Sequence, residues 1–347
     1  MNAKVLITGG SGFFGTSLTK GLLEKEYSVR ILDPEYPASA DIRPRIEFIQ
    51  GDIRNKEIVR EASKGISIVF HNAAILPISR SHKKIFWEVN VEGTRTILET
   101  ALINKVRKVI FISSSAPYGI PKDTPVTENT PFNPVCDYGR SKIAAEEICN
   151  EYRSKGLDVV ILRPRTLVGK GRLGLFQILF NWIADNKRIY LIGKGNNPFS
   201  FLSERDFVKA CIVSIEKDCK NGDFNLGTDK FNTVKEDLES LIRSVGSSSK
   251  IVPLPASATK LLLSVFDMFS VVPFTPWHYK TCDKPFYFDI TKARKTLGWF
   301  PEVSNFEMLK DGYNDYISHR KDIDSDFGTI HTKSVRQRIL RVLKSLS

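Results

Sequence analysis

The sequence predicts an α/β fold in which a doubly wound parallel sheet is followed by a smaller C-terminal substrate-binding lobe. Two observations support this prediction. Over the first half of the chain, apolar segments of strand length alternate with amphipathic segments of helix length, as in a parallel sheet covered by helices on both faces. A glycine-rich segment follows the first apolar run, which indicates a strand that leads through a tight turn into a helix.

Six apolar segments are expected to form the strands of the sheet because they are rich in Val, Ile and Phe. They lie at Val5–Thr8, Ser28–Asp33, Ile46–Ile49, Ile68–His71, Val109–Ser113 and Val159–Leu162. The helices are expected where the apolar spacing changes to that of an amphipathic helix. These segments are Gly15–Lys25, Asn55–Lys64, Phe86–Ile103, Tyr138–Lys155 and Leu175–Asp185.

The chain is expected to divide near residue 165. Beyond Arg163, Pro and Gly become frequent, and short strands such as Arg188–Ile192 and Asp223–Leu226 lie among helices. We therefore expect a first domain at 1–165 and a second lobe at 166–319. Within 166–319, a return of the chain to the first domain is left open. Residues 320–347 form a polar linker and a basic tail.

Composition is typical of a globular enzyme. The chain has 347 residues, of which 41% are hydrophobic and 26% charged, so that it can bury a large core. The five cysteines form neither a CxxC pair nor a histidine-spaced metal pattern, and we expect reduced thiols and no metal site. No signal peptide or membrane-length apolar segment is expected either, and these features favour a cytoplasmic protein.

The net charge of +12 would suit an anionic partner. Nucleic acid is not expected, because the basic residues are scattered rather than gathered in a binding module. The exception is the tail: if residues 331–347 are helical, an apolar stripe runs along one side, made of Val335, Ile339, Val342 or Leu343, and Leu346. Such a helix suits peripheral contact with an anionic membrane, or packing on the enzyme or on a second subunit.

A tyrosine and a lysine suggest proton-transfer chemistry. Tyr138 and Lys142 are four residues apart, so that on a helix they share a face. The ammonium can then lower the pKa of the phenol, which would exchange a proton with a substrate hydroxyl or carbonyl. A serine from the cluster at residues 113–115 can hold the same substrate oxygen.

The glycine cluster predicts a dinucleotide site. Gly9 permits the turn, Gly12 lets the backbone approach a pyrophosphate, and Gly15 lets the helix pack on the strand. The helix N-terminus carries partial positive charge toward the phosphates. Asp33, at the end of the second strand, can accept hydrogen bonds from the adenosine ribose and would repel a 2′-phosphate, which favours NAD over NADP. Arg30 is expected to be solvated.

Taken in order, these motifs resemble the extended short-chain dehydrogenase/reductase superfamily, and within it the NAD-dependent epimerases and dehydratases. The resemblance covers residues 3 to 318, and it implies a Rossmann-type fold with NAD as the cofactor. The matching elements are TGGSGFFG at 8–15, Asp33, Gly51-Asp52-Ile53, His71-Asn72-Ala73-Ala74, VNVEGT at 89–94, SSSAPYG at 113–119, YGRSK at 138–142, Leu162-Arg163-Pro164 and LGWFP at 297–301.

The resemblance implies roles for further residues. Asp52 and Ile53 correspond to an adenine-binding pair and Asn90 to a position near the nicotinamide, although a helix cap and a buried polar bridge are the respective alternatives. The active hydroxyl is expected at Ser114, four residues before Tyr118, with Ser115 as the alternative. The other cofactor contacts are expected from Phe13, Phe14, Asn72, Ala73, Ala74, Ser113, Arg163 and Pro164. A homodimer paired through two long helices is common in the family.

Substitutions within the motifs bear on the reaction. Dehydratases of the family carry an Asp-Glu pair after the active hydroxyl, whereas this chain has Ser115-Ala116. Dehydration is therefore disfavoured, and epimerisation or net dehydrogenation remains. The arginine that usually stands just before an apolar strand of the second lobe and contacts nucleotide-sugar diphosphates is absent here, where residues 197–206 read NPFSFLSERD. Arg165 and Arg172 are candidates to replace it, and either of them can instead be an exposed charge.

Three hypotheses about function follow. The first is an NAD-dependent oxidoreductase of the epimerase type that acts on a sugar nucleotide, and the second is a dehydrogenase of the 3β-hydroxysteroid type that acts on a sterol or lipid alcohol. The third is a non-catalytic NAD-binding redox sensor. The pocket is expected to be shaped by Pro77 and the loop that follows it to His82, by Ser115, and by the apolar run 261–274 with Trp277 and His278.

Overall fold

The structure is a computed structural model that describes residues 3–77, 83–172, 174–268 and 275–320. Its centre is a sheet of seven parallel strands in the order β10-β6-β5-β4-β1-β2-β3. In chain order these strands are β1 (Lys4–Thr8), β2 (Ser28–Asp33), β3 (Ile46–Gln50), β4 (Ile68–His71), β5 (Lys108–Ile112), β6 (Val159–Pro164) and β10 (Asp223–Leu226). The predicted doubly wound α/β class is confirmed.

Helices cover both faces of this sheet. Along β1 the side chains alternate, so that Val5 and Ile7 pack toward one face and Leu6 toward the other. The first face is covered by α1 (Phe13–Glu24) and α7 (Glu204–Glu216). The second is covered by α2 (Lys56–Ala62), α4 (Gly93–Ile103) and α5 (Asp137–Ser154).

One segment that was expected to form a continuous helix contains a π-helical turn. The segment Phe86–Ile103 consists of the end of α3 (Lys83–Phe86), a π-helical turn at Trp87–Glu92, and α4. The turn places Asn90 inward, where it is buried. A helical period in the sequence cannot distinguish such a turn from an α-helix, because a π-bulge changes the spacing by only one residue.

The second lobe is built from small sheets and helices. One sheet pairs β8 (Ile189–Ile192) with β11 (Ile251–Leu254), and another pairs β7 (Leu167–Val168) with β9 (Leu202–Ser203). The helices of this part are α6 (Leu175–Ala184), α8 (Val234–Ser244), α9 (Ala256–Met268), α10 (Pro276–Thr281) and α12 (Asn305–Ser318), whereas α11 (Thr291–Leu297) packs on β10 and α7 at the central sheet.

Two sequence expectations need correction. Asp223–Leu226, which we assigned to the second lobe, pairs with β6 and forms an edge of the central sheet, so that the chain does return to the first domain. Arg30 is buried rather than solvated: its guanidinium donates to the Ala62 and Lys64 carbonyls and pairs with Glu47.

The expectations for the basic tail at 331–347 and for the 78–82 loop lie outside the described residues. Within the described ranges, no helix combines the length and the apolar character that a membrane span would require.

Candidate active site

A large cavity lies at the carboxyl ends of the sheet strands, where ligands bind in open α/β folds. Its volume is about 1970 Å³, and its lining extends from the glycine loop after β1, past the ends of β2, β5 and β6, to helices α6 and α9 of the second lobe. The two ends of this cavity differ in chemistry. We call them the glycine-loop end and the second-lobe end.

The glycine loop leaves a backbone cradle at the first of these ends. Gly9 has φ +70°, and a Cβ added to it would lie 2.8 Å from the Ala73 backbone. A Cβ on Gly15 would lie 2.2 Å from the Gly9 carbonyl oxygen, so that only glycine allows α1 to start here. Gly12 is the N-cap of α1 and supplies no side-chain hydrogen bond to it. The first amides of α1 are therefore available to an anion.

Acidic side chains follow at the ends of β2 and β3. Asp33 is buried and lines the cavity, and its carboxylate accepts hydrogen bonds from the Ser11 and Glu35 amides, each at 3.0 Å. Burial raises the pKa of Asp33 despite these hydrogen bonds. Each carboxylate oxygen retains a lone pair for a further donor. Asp52 lines the same end and is paired with Arg54, which lowers the pKa of Asp52.

Most of the predicted cofactor contacts lie along this wall. Asn72 donates to the Gly9 carbonyl at 2.9 Å and so ties the end of β4 to the glycine loop. Lining the cavity with it are Gly9, Gly12, Phe13, Phe14, Ile53, Ala73, Ala74, Ser113 and Pro164. Uncapped amides, the glycine cradle and a ribose-facing carboxylate together fit a dinucleotide.

Ser114, Tyr138 and Lys142 meet at the centre of the cavity. Ser114 follows β5, while Tyr138 and Lys142 lie one turn apart near the start of α5, and all three line the cavity. The Ser114 hydroxyl lies near enough to the Tyr138 phenol to lower the pKa of the phenol. Lys142 is buried and donates to the Ile112 carbonyl at 2.8 Å. The phenol and the serine hydroxyl can therefore share one substrate oxygen.

The pKa of Tyr138 departs from the sequence expectation. Burial raises this pKa to about 12, although the neighbouring Ser114 hydroxyl and the charge of Arg172 act to lower it. Burial also lowers the pKa of Lys142 to about 8, because the ammonium is removed from water. In the protein alone, desolvation therefore outweighs the expected influence of Lys142 on the phenol.

Two predicted cofactor residues have their side chains outside the cavity wall. The Arg163 guanidinium pairs with Glu146 at 2.7 Å and with Asp223 at 3.3 Å, and it fixes β6 to α5 and β10. The Asn90 amide is hydrogen-bonded to both backbone groups of Ile75 and to the Ser141 hydroxyl. Neither is among the residues that line the cavity. Asn90 therefore forms a buried polar bridge, the alternative role that the sequence analysis named for this residue.

Arg165 is a cation without a carboxylate partner among the described residues. It is 1% exposed and lines the cavity, with its guanidinium carbon 3.8 Å from the ring centroid of Phe286. Its Nε donates to the Ser200 carbonyl and its Nη1 to the Ser115 hydroxyl, while Nη2 has no partner. Burial lowers its pKa to about 9. Such a group is suited to bind an anion.

Arg172 approaches the glycine-loop end of the cavity, with its guanidinium carbon 5.4 Å from the ring centroid of Phe13. Its Nε is buried and unpartnered, and burial lowers its pKa to about 9. Pro77 and Ser115 also line the cavity. Both predicted arginines therefore face the site instead of being exposed charges.

Sequence reasoning missed several functional neighbours. Glu204, the first residue of α7, lines the cavity, and burial raises its pKa. The aromatic enclosure of Arg165, made by Phe199 and Phe286, joins positions 87 residues apart and has no local signal. His71 was expected to be structural. It is buried between the Thr8 and Thr94 hydroxyls, and burial lowers its pKa to about 3.

The fold and this arrangement define an NAD-dependent enzyme of the extended short-chain dehydrogenase/reductase class. The comparison with protein families identifies the particular group. The model of the NAD dependent epimerase/dehydratase family matches residues 5–227, and the chain belongs to this family.

Curated relatives of the chain differ in their activities. It is 39% identical to the protein named Uncharacterized protein y4nG of Sinorhizobium fredii, over 97% of this chain and 85% of that protein. It is 28% identical to the UDP-glucose 4-epimerase of Lactobacillus helveticus, over 92% and 98% of the two chains. It is also 28% identical to the sterol-4-alpha-carboxylate 3-dehydrogenase (decarboxylating) of Mus musculus, over 92% of each.

Among solved structures, the UDP-glucose 4-epimerase of Thermotoga maritima with UDP-glucose superposes with a TM-score of 0.76. It is 24% identical in sequence, and the alignment covers 91% of this chain and 99% of that one. The fold is therefore shared over nearly the whole molecule.

Proposed function

We propose that this protein catalyses reversible NAD-dependent hydride transfer at a secondary alcohol of a sugar nucleotide, with epimerisation as the net reaction. The observation that carries the proposal is that Ser114, Tyr138 and Lys142 line one cavity, with Tyr138 and Lys142 one helical turn apart. NAD would be held by the glycine loop, the α1 terminus and Asp33, and it supplies the hydride acceptor. A redox sensor would have no need of a buried phenol poised for proton transfer.

The proton would move between the substrate oxygen and Tyr138. Because burial raises the pKa of Tyr138 to about 12, the phenol is protonated at neutral pH and suited to donate to a ketone oxygen. In the oxidative direction the phenolate of Tyr138 must accept the proton of the substrate hydroxyl, and a lower pKa would populate the phenolate at neutral pH. The Lys142 ammonium, one helical turn away, would lower that pKa. Ser114 would hold the oxygen during both transfers.

Dehydration is disfavoured because no carboxylate follows Ser114. The next residues are Ser115, whose hydroxyl accepts from Arg165, and Ala116. Elimination of water needs an acid and a base beside the reacting carbon. A ketone formed here would instead be reduced again on either face, or released.

Arg165 and Arg172 would bind the anionic part of the substrate. Arg165 is buried and Arg172 half-buried in the cavity, and each has a buried N–H group without a partner, which is costly for a cation. A diphosphate would supply the missing acceptors. These arginines would thereby replace the family's arginine that is missing just before the strand in the segment 197–206.

A second candidate substrate is an apolar alcohol. The second-lobe end of the cavity is walled largely by aliphatic and aromatic side chains, whereas a nucleotide base needs hydrogen-bond partners. These side chains include Phe176, Leu179, Trp182, Leu238, Leu263 and Phe266. The similarity to a sterol dehydrogenase is consistent with this alternative.

A thermal-shift screen separates the candidates. With NAD present, the protein is tested against UDP-, GDP- and dTDP-sugars and against sterols, and every stabilising compound is then assayed for NADH and for epimer formation. The proposal expects a sugar nucleotide to stabilise the protein and to yield an epimer. Stabilisation by sterols alone would establish the second candidate, and NAD binding without turnover of any compound would favour the sensor.

Two further proposals concern assembly. A homodimer is proposed by analogy with the family, and sedimentation velocity tests it. Contact of the tail with an anionic membrane rests on the sequence of residues 331–347 alone, and it is tested together with the inference below.

A further inference from the structure

The helix α9 has apolar side chains on both of its sides. Thr259, Leu263 and Phe266 line the cavity, whereas Leu261 and Val265 point outward and are 69% and 43% exposed. Of its described side chains, none is buried. A surface helix ordinarily carries polar residues on its outer side, and adjacent exposed leucines indicate an interaction site.

Leu262 connects the two sides of α9. It is 53% exposed and also lines the cavity, so that the cavity reaches the surface at this helix. The outer apolar side, formed by Ala258, Leu261, Leu262 and Val265, is therefore continuous with the apolar wall of the second-lobe end. We call these four residues the α9 ridge.

Lysines surround the N-terminal half of α9. Lys260 pairs with Asp283 at 2.5 Å and donates to the carbonyl of Lys280. Lys280 and Lys194 are exposed and have no ion pair among the described residues, and exposed Lys284 lies 4.0 Å from the same Asp283. This set has four cations and one carboxylate, hence a net charge of +3. An apolar ridge with a cationic border matches an anionic lipid surface.

We propose that the α9 ridge docks this protein on an anionic lipid bilayer. The ridge would enter the interface between headgroups and acyl chains, while Lys194, Lys280 and Lys284 would contact the headgroups. Docking in this orientation brings the mouth of the cavity at Leu262 to the membrane surface. The inference goes beyond the proposed reaction and does not depend on which alcohol is oxidised.

Vesicle binding by the full-length protein tests the inference. Vesicles of phosphatidylcholine and phosphatidylglycerol in equal parts are compared with phosphatidylcholine alone, at low and high salt. We expect binding to the anionic vesicles that weakens as salt rises. The double variant Leu261→Ser/Val265→Ser should bind at least about tenfold more weakly. Lys280→Gln and Lys284→Gln should each weaken binding about fivefold on anionic vesicles.

Control variants make the result specific. Phe300→Ser removes a large apolar side chain of comparable exposure, 59%, outside α9, and it should bind vesicles as the unchanged protein does. Removal of residues 331–347 should leave a vesicle binding that still depends on Leu261 and Val265. NAD affinity and melting temperature should be equal in the ridge variant and the parent, because neither side chain lines the cavity or is buried.

Several outcomes would overturn the inference. One is absence of binding to anionic vesicles by the intact protein, and another is equal binding by the parent and the ridge variant. Complete loss of binding on removal of the tail, with the ridge variant unaffected, would assign docking to the tail instead. A change in oligomeric state of the ridge variant without vesicle binding by the parent would make the ridge a subunit interface.

Discussion

The two ends of the cavity are built on different principles. At the glycine-loop end, the shape is set by backbone: Gly9 and Gly15 occupy positions where a Cβ would collide, and the α1 amides are left open. At the second-lobe end, the shape is set by side chains from α6, α9 and other elements distant in sequence. Under the proposed function, the first end would hold the cofactor and the second would select the substrate.

The first prediction concerns Tyr138, which lies between the two ends of the cavity. Tyr138→Phe should lower turnover about a hundredfold or more, because it removes the proton donor and acceptor, and should leave NAD affinity nearly unchanged. Steady-state rates and an NAD titration measure the two effects, with Tyr152→Phe as a control on the same helix. Normal turnover in Tyr138→Phe would show that the assigned mechanism is wrong.

A second prediction concerns the selectivity of the glycine-loop end. NAD should bind more tightly than NADP by roughly 2 to 4 kcal/mol, because a 2′-phosphate would meet the Asp33 carboxylate and forfeit its hydrogen bonds with the ribose. Asp33→Asn should reduce this preference by weakening the repulsion. Titration of both cofactors measures the difference, and equal affinities for the unchanged protein would contradict the role given to Asp33.

The third prediction concerns the second-lobe end. Arg165→Met keeps much of the side-chain volume against Phe286 but removes the charge. It should raise KM for an anionic substrate about 10- to 150-fold, which corresponds to the roughly 1.5 to 3 kcal/mol of a hydrogen bond to a charged group, and leave NAD affinity unchanged. The stability should not fall, since the guanidinium has no carboxylate partner among the described residues. An unaltered KM would remove Arg165 from the substrate site.

The smallest expected effect is on stability, at Lys142. Because burial lowers its pKa from 10.5 in the unfolded chain to about 8, the folded state is penalised below pH 8, and stability is regained as pH rises toward 10.5. Lys142→Met should therefore increase the free energy of unfolding by about 1 to 3 kcal/mol at pH 7. Denaturation at several pH values measures this gain.

The gain from Lys142→Met should shrink as the pH rises above 8, and it should be accompanied by weaker NAD binding and lower turnover. Lys56→Met, at an exposed lysine, is the control for charge removal. A loss of stability in Lys142→Met at neutral pH would show that the ammonium is better satisfied than its burial indicates.

The comparison also explains what the sequence could predict. The strands and the glycine loop were predictable because periodicity and glycine placement act locally, and β2 and β4 begin and end at the expected residues. The predicted positions of Ser114, Tyr138 and Lys142 lie together in the cavity, while their roles stay predictions. Arg163 and Asn90 match family motifs, yet their side chains make buried bridges. No sequence pattern separates a cofactor contact from a bridge that supports one.

The second-lobe end could not be predicted to the same degree. The place of β10 in the central sheet depends on pairing with β6, about sixty residues earlier, and such pairing leaves no local pattern. The pKa of Tyr138 depends on how deeply the folded chain buries the phenol. Helical spacing predicts that Lys142 lies near Tyr138. It cannot show that desolvation has a larger effect on the pKa of the phenol than the charge of the lysine.

The path of the hydride tests the central claim most directly. A substrate found by the thermal-shift screen is labelled with deuterium at the carbon that bears the reacting hydroxyl, and the holoenzyme converts it in ordinary water. We expect the label to remain on that carbon in the epimer, or to be found on NADH if the ketone is released. Loss of the label to water would contradict hydride transfer at this site.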